Sequence, residues 1–237
     1  MRRPWIAEKP SSPNSECPGR RLYSIFLGFR GRRAIAALVS AIPVLLLATR
    51  NPHKVEEIAA ILAGLVEVRD LSFLPEAPPV EETGTTFAEN ARLKALEISA
   101  LTDVLVLADD SGLVVDALGG APGVHSARYA GPEAQDAENN RKLVEELAAV
   151  PASARGARFR CAMVVAQKGK VVAEFEGSLE GSILPAARGQ EGFGYDPLFV
   201  PAGETLTLAE LGAAKKNTLS HRARALEEFR AWADQAL

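Results

Sequence analysis

The stretch Val104-Leu105-Val106-Leu107-Ala108-Asp109-Asp110-Ser111-Gly112 decides how this chain is read. Its apolar run has the composition of a buried strand. The pair Asp109-Asp110 sits where that strand is expected to reach the surface. Side chains alternate across a strand, so the two carboxylates point to opposite faces. One of them then faces a crevice at the strand's carboxyl end, where open α/β sheets bind ligands. Gly112 is expected to turn the backbone sharply just afterwards. A carboxylate in such a place can hold a divalent cation or accept a proton from water.

Working outward, Val44-Leu45-Leu46-Leu47-Ala48 reads as a second buried strand, opened by Pro43. Asn51 is placed to cap a helix whose first position is Pro52. Val55, Ile58, Ala59 and Leu62 recur at helical spacing, and Gly64 ends the run. A short strand is expected at 66–71 and a loop at 74–85. Thr86-Phe87-Ala88-Glu89 is a capping box that starts a helix running to about residue 101. Beyond the acidic pair, 119–131 looks irregular and 133–149 helical. Phe159, Cys161, Met163 and Val165 alternate as in a strand. Lys168-Gly169 turns the chain, and 171–176 returns it as a hairpin. A Gly-rich loop is expected at 189–201 and a short helix at 206–212. A last helix is expected at 220–236, capped by Ser220. Strand-helix units mixed with an antiparallel hairpin predict an α/β domain with a mixed sheet, in two lobes around a central cleft.

With 237 residues, 47% of them hydrophobic and 24% charged, the chain has ample material for one large soluble domain. Its net charge of -3 is unevenly spread. Residues 1–43 hold eight Lys/Arg against two Asp/Glu, a surplus of +6, which leaves -9 for the remainder. An acidic main domain is not a general nucleic-acid binder. It can still take a small polyphosphate through a metal and a few local cations. Cys17 lies in a Ser/Pro/Gly-rich stretch and Cys161 in a strand pattern, with no disulfide framework and no Cys/His metal spacing. That usage suits a reducing cytosol, so a cytoplasmic protein without membrane or nucleic-acid partners is expected. Arg30, Arg32 and Arg33 ahead of the apolar run 34–48 imitate a signal peptide. The run is too short to span a bilayer, and 44–48 is needed as the first strand. Residues 1–43 are therefore read as a disordered or misassigned extension, and 44–237 as the domain.

Four further segments carry chemistry. Thr49-Arg50-Asn51-Pro52-His53-Lys54 joins a strand to a helix N-terminus, where unpaired N–H groups and the positive dipole end favour phosphate. It lacks the glycines of a P-loop. Glu81-Glu82-Thr83-Gly84 offers a loop carboxylate that can join Asp109 or Asp110 around Mg²⁺, an ion that prefers few carboxylates plus substrate phosphates. Lys94 lies on the helix that follows. Gly192-Phe193-Gly194-Tyr195-Asp196-Pro197 sets two aromatics between glycines, with Phe193 able to stack on a base and Asp196 able to accept a hydrogen bond from it. Lys216, His221 and Arg222 cluster around the start of the last helix. Cations in a first turn oppose the helix dipole, which points to a use such as meeting an anionic or carbonyl-rich ligand.

Taken in order, these segments resemble the inosine triphosphate pyrophosphatase family, the non-standard purine nucleotide pyrophosphatases. The resemblance covers about residues 44–237. It implies a two-lobed α/β fold with a central nucleotide cleft, a homodimer, and Mg²⁺-dependent hydrolysis of ITP, dITP and XTP to the monophosphate and pyrophosphate. It implies Asp110 as proton acceptor and metal ligand, with Glu81 near the metal. It implies that Thr49, Arg50, Asn51, Pro52, His53, Lys54 and Lys94 hold the triphosphate, with Ser111 beside it. Phe193, Gly194, Tyr195, Asp196, Lys216, His221 and Arg222 would form the nucleoside pocket. On that reading, a donor from Arg222 or Lys216 rewards the 6-oxo group of inosine and opposes the 6-amine of adenine, at roughly 1–3 kcal/mol per unpaired buried group. Two alternatives stand beside it. The Maf-like pyrophosphatases share the chemistry but prefer other bases. A nucleotide-binding sensor without turnover belongs to a different class.

Overall fold

The computed structural model describes residues 42–236. The expectation for residues 1–43 falls almost wholly outside the described residues. Strand β1 (Val44–Leu47) is followed by α1 (Pro52–Ile61), β2 (Glu67–Arg69), α2 (Phe87–Ser99) and β3 (Leu105–Val115). Then come α3 (Asp136–Glu146), the hairpin β4 (Gly156–Gln167) and β5 (Lys170–Ile183), β6 (Phe199–Pro201), α4 (Leu208–Leu219) and α5 (His221–Ala236). The six strands form one sheet in the order β2-β1-β3-β4-β5-β6. β1 runs parallel to β2 and β3, and the remaining pairs are antiparallel. The expected mixed α/β sheet is observed. Among the described residues, no helix is long and apolar enough to cross a membrane.

Several local expectations hold for the stated physical reasons. Asn51 Oδ1 accepts from the backbone N–H groups of His53 and Lys54, and Pro52 occupies the first turn. Thr86 and Glu89 close a reciprocal capping box at the start of α2. Lys168 and Gly169 both take positive φ, 51° and 73°, which matches the twist of a two-residue hairpin turn.

One expectation is overturned at the decisive segment. The strand does not end at Ala108. β3 runs on through Asp109, Asp110, Ser111 and Gly112 to Val115, because β4 supplies a partner for each of these residues. Gly112 makes no turn. It allows close approach instead: a Cβ there would meet Ser126 Oγ at 2.3 Å and the Gly123 carbonyl at 2.7 Å. The crevice arises because β1 stops. Leu47 pairs with Leu107. Beyond that level, among the described residues, no strand of the sheet continues on the β1 side of β3, where only the segment around Pro122 and Ser126 returns to bridge Val114 and bond Leu113. Asp109 and Asp110 therefore lie beside the β1–α1 turn. The expected helix at 206–212 is longer, running to Leu219 with a break at Gly212 (φ 76°).

Alternation along β3 divides the core. Leu105 and Leu107 pack with Leu45, Leu47, Met163 and α5 residues such as Leu226 and Phe229. Val106 and Ala108 pack on the other face against Ala91, Ala95 and Ile98 of α2. Leu113 and Val115 join Leu143 of α3, Leu147 at its C-terminal cap and the segment Tyr195–Phe199 in a third cluster. Gly177 of β5 lets α5 approach closely, since a Cβ there would fall 2.0 Å from the His221 carbonyl oxygen. That contact sets the height of His221 and Arg222 above the sheet.

Candidate active site

The same alternation sends Asp109 and Asp110 to different partners. Asp109 is buried on the α1/α5 face. Its carboxylate pairs with Lys54 and accepts from Arg222 Nε at 3.3 Å, Cys161 Sγ at 3.0 Å and Ser111 Oγ at 3.3 Å. Burial opposes its charge most strongly, but Arg222 and Lys54 together hold its pKa well below the usual carboxylate range. The charge on Asp109 is thus locked in, and its role is to anchor two cations.

Asp110 faces α2. Lys94 Nζ donates to Asp110 Oδ1 at 3.0 Å, to Glu82 Oε1 at 2.8 Å and to the Asp109 carbonyl at 2.8 Å. Asn90 Nδ2 reaches Asp110 Oδ2 at 3.3 Å, while Asn90 Oδ1 fixes the loop by accepting from Gly84 N–H. Burial raises the pKa of Asp110 above the ordinary carboxylate value, against the opposing pull of Lys94 and Lys54. Glu82 is shifted the other way, because Lys94 and Arg128 outweigh its own burial. Two neighbouring carboxylates are thereby driven apart in acidity, a pattern typical of acid–base sites.

The β1–α1 turn differs in detail from a free anion cradle. Asn51 already occupies the N–H groups of His53 and Lys54, and Thr49 Oγ1 accepts from Asn51 N–H at 3.1 Å. What remains for a ligand is side-chain donors, namely the Thr49 hydroxyl, the Asn51 amide and Lys54. Arg50 donates to the Ala77 carbonyl at 2.7 Å and so ties down the loop that leads into α2. Glu81 is exposed, and it is Glu82 that lines the cleft beside Asp110.

The segments around Phe193 and α5 form the other wall. His53 stacks on Phe193 with centroids 5.2 Å apart, and Lys216 Nζ lies 4.3 Å from the same ring's centre. Asp196 is buried and accepts from Lys216 Nζ at 2.5 Å and from Phe193 N–H at 3.0 Å. It shapes the loop instead of waiting for a base. Tyr195 is also inward, donating its hydroxyl to the Ser126 carbonyl at 2.8 Å. Arg222 is fully buried, with Nη1 on Glu57 at 2.5 Å and Nη2 on Ser111 Oγ at 2.9 Å besides its bond to Asp109. His221 stacks on Phe159 at 4.8 Å. Burial first and the Arg222 charge second push its pKa well below the ordinary value, which favours the neutral ring. Its Nδ1 is buried without a partner among the described residues.

These walls enclose a cleft of about 360 Å³, lined among others by Thr49, Lys94, Asp110, Ser111, Phe193 and His221. Segments from distant parts of the sequence thus meet around one space. Besides Asn90, three contributors are not singled out in the sequence. Glu57 binds both Lys216, at 2.6 Å, and Arg222; its spacing of three from Lys54 on α1 carried the signal that they share a face. Arg128 pairs with Glu82 at 3.3 Å, and Asp136 of α3 lines the cleft; neither has a local pattern that marks it.

The Ham1 family profile matches residues 45–232. A dITP/XTP pyrophosphatase of Geobacillus kaustophilus is 54% identical over 186 residues, covering 78% of this chain and 91% of that protein. One from Geobacter sulfurreducens is 51% identical, covering 77% and 92%. Among solved structures, the Ham1 protein of Staphylococcus aureus aligns with a TM-score of 0.73 at 35% identity, over 82% of this chain and all of that one. The nucleoside-triphosphatase / dITP/XTP pyrophosphatase of Mycobacterium abscessus aligns at 0.65 with 44% identity, over 78% and 98%. With the profile spanning most of its length and relatives this similar over nearly their whole chains, this protein belongs to the Ham1 family.

Proposed function

We propose that the protein hydrolyses non-standard purine nucleoside triphosphates, ITP, dITP and XTP, to the monophosphate and pyrophosphate, and so keeps deaminated purines out of nucleic acids. The observation that carries this reading is the half-buried Lys94 ammonium set between Asp110 and Glu82, beside the β1–α1 turn. The relatives named dITP/XTP pyrophosphatase supply the substrate class.

Attack of water on the α-phosphorus needs a proton acceptor and compensation for a highly charged triphosphate. Asp110 is the acceptor, and its raised pKa moves it toward the value a base needs near neutrality. Lys94 and Lys54 are preorganised counter-charges in a site partly shielded from water. Thr49 and Asn51 orient the phosphates as neutral donors. Asp110 and Glu82 fit Mg²⁺, which takes hard oxygen donors from one or two carboxylates and the rest from phosphates and water. Both carboxylates converge on one cation, Lys94, so the pair presents concentrated negative charge to the cleft. Bound there, the ion supplies charge neutralisation on the phosphate oxygens.

The base is read near Phe193, Lys216 and the unpartnered Nδ1 of His221. Family membership also supports a homodimer in a reducing cytoplasm, which sedimentation and fractionation test. The deciding assay is pyrophosphate release from a panel of triphosphates with and without Mg²⁺. Tight nucleotide binding without turnover would favour the sensor alternative.

A further inference from the structure

The loop that presents Phe193 is held by a helix that takes no part in the chemistry described above. Phe193 sits between Gly192 and Gly194, both at positive φ, 78° and 61°. A two-glycine frame of this kind has many accessible conformations, so the ring's position depends on what pins the peptide. Asp196 binds the N–H of Phe193 from within the loop. On the other side, Asp136 Oδ2 accepts from Gly194 N–H at 2.6 Å. Asn140 Nδ2 donates to the Gly194 carbonyl at 2.9 Å. Asp136 and Asn140 are four residues apart on α3 and so share one face at its start. They grip both polar groups of the one residue that follows Phe193. α3 in turn is anchored by Leu143 and its capping residue Leu147 in the third core cluster, and by Asn139, which accepts from Ala130 N–H and donates to the Ala127 carbonyl. The clamp is rigid at its base.

We propose that Asp136 and Asn140 are positioning residues for base recognition: from α3 they fix the Gly194 peptide and thereby hold the Phe193 ring where a purine is read. This rests on the proposed nucleotide pyrophosphatase activity. The clamp acts on binding of the base and leaves the phosphorus chemistry at Asp110 untouched. Asp136 also lines the cleft, so direct contact with substrate is the competing explanation, and a double-mutant cycle separates the two.

The test is steady-state hydrolysis of ITP by Asp136→Ala, Asn140→Ala and Phe193→Ala, alone and in pairs, with melting curves for each variant. Loss of one such hydrogen bond is expected to raise KM about 5–10-fold while kcat stays within about twofold. In the Phe193→Ala background, the same changes are expected to move KM by less than about twofold, because residues acting through one shared element are not additive. Asp136→Asn keeps an acceptor and is expected to restore KM to within about twofold of wild type. An undiminished effect of Asp136→Ala in the Phe193→Ala background would overturn the proposal in favour of direct contact. So would a fall in kcat at constant KM, or unchanged kinetics in both single variants. A wild-type protein that releases no pyrophosphate from ITP would overturn the proposed function itself, and is told apart from these outcomes by the wild-type control.

Discussion

Lys94 Nζ stands 3.0 Å from Asp110 Oδ1 and 2.8 Å from Glu82 Oε1, so one ammonium from α2 bridges two carboxylates of the cleft. Asp110 is the one whose proton affinity burial has raised. Asp110→Asn preserves its shape and removes its basicity. The variant is expected to melt close to wild type and to lose roughly 10²–10⁴ in kcat, the usual size of a lost general base. Turnover near the wild-type rate would remove Asp110 from the mechanism.

Arg222 is tied to Asp109, Glu57 and Ser111 in the interior. The family resemblance offers Arg222 or Lys216 to the 6-oxo group, but all three nitrogens of the Arg222 guanidinium are engaged within the protein. Removing one member of a buried ion network leaves the others uncompensated. Arg222→Ala is therefore expected to lower folding stability by about 3–5 kcal/mol, measured by urea unfolding. A loss below about 1 kcal/mol, with a selective fall in ITP turnover, would restore the base-reading role.

His221 gives the stability a definite pH dependence. Its folded pKa lies well below the ordinary 6.5. Below that pH the unfolded chain binds a proton that the folded chain refuses. Its contribution to stability is therefore lost as pH falls through 6.5, at up to about 1.4 kcal/mol per pH unit. His221→Asn is expected to flatten the slope of unfolding free energy between about pH 6.5 and 5. Identical slopes for variant and wild type would mean that His221 is protonated in the folded protein.

Gly177 links the sheet to the site. A Cβ there would lie 2.0 Å from the His221 carbonyl oxygen and 2.7 Å from Ala225 N. Gly177→Ala must push α5 outward, at about 1–3 kcal/mol for an overpacked contact. Because His221 and Arg222 ride on that helix, turnover is expected to fall together with melting temperature. Unchanged melting would show that α5 moves freely on β5.

Much of this architecture is legible in local sequence. Asn51-Pro52 and the Thr86–Glu89 box mark their helices because caps and turns are short-range chemistry. The alternation of Asp109 and Asp110 follows from strand geometry alone and correctly separates their partners. What was not legible depends on long-range pairing. β3 continues through a polar Asp-Asp-Ser-Gly run because β4 completes its ladder and Lys54, Arg222 and Lys94 supply counter-charge from three other elements. No local pattern announces that. The choice between Glu81 and Glu82 likewise turns on which carboxylate faces Lys94, a fact of the folded loop. Asp196 and Arg222 look available in sequence and are consumed by each other's neighbours, Lys216 and Glu57, once the chain folds.

The most direct test of the central claim is identification of the products formed from ITP with Mg²⁺ present. Attack at the α-phosphorus with Asp110 as proton acceptor predicts inosine monophosphate and pyrophosphate in equal amounts, with ITP and XTP consumed in preference to ATP. Release of orthophosphate with inosine diphosphate, or equal consumption of ATP and ITP, would contradict it.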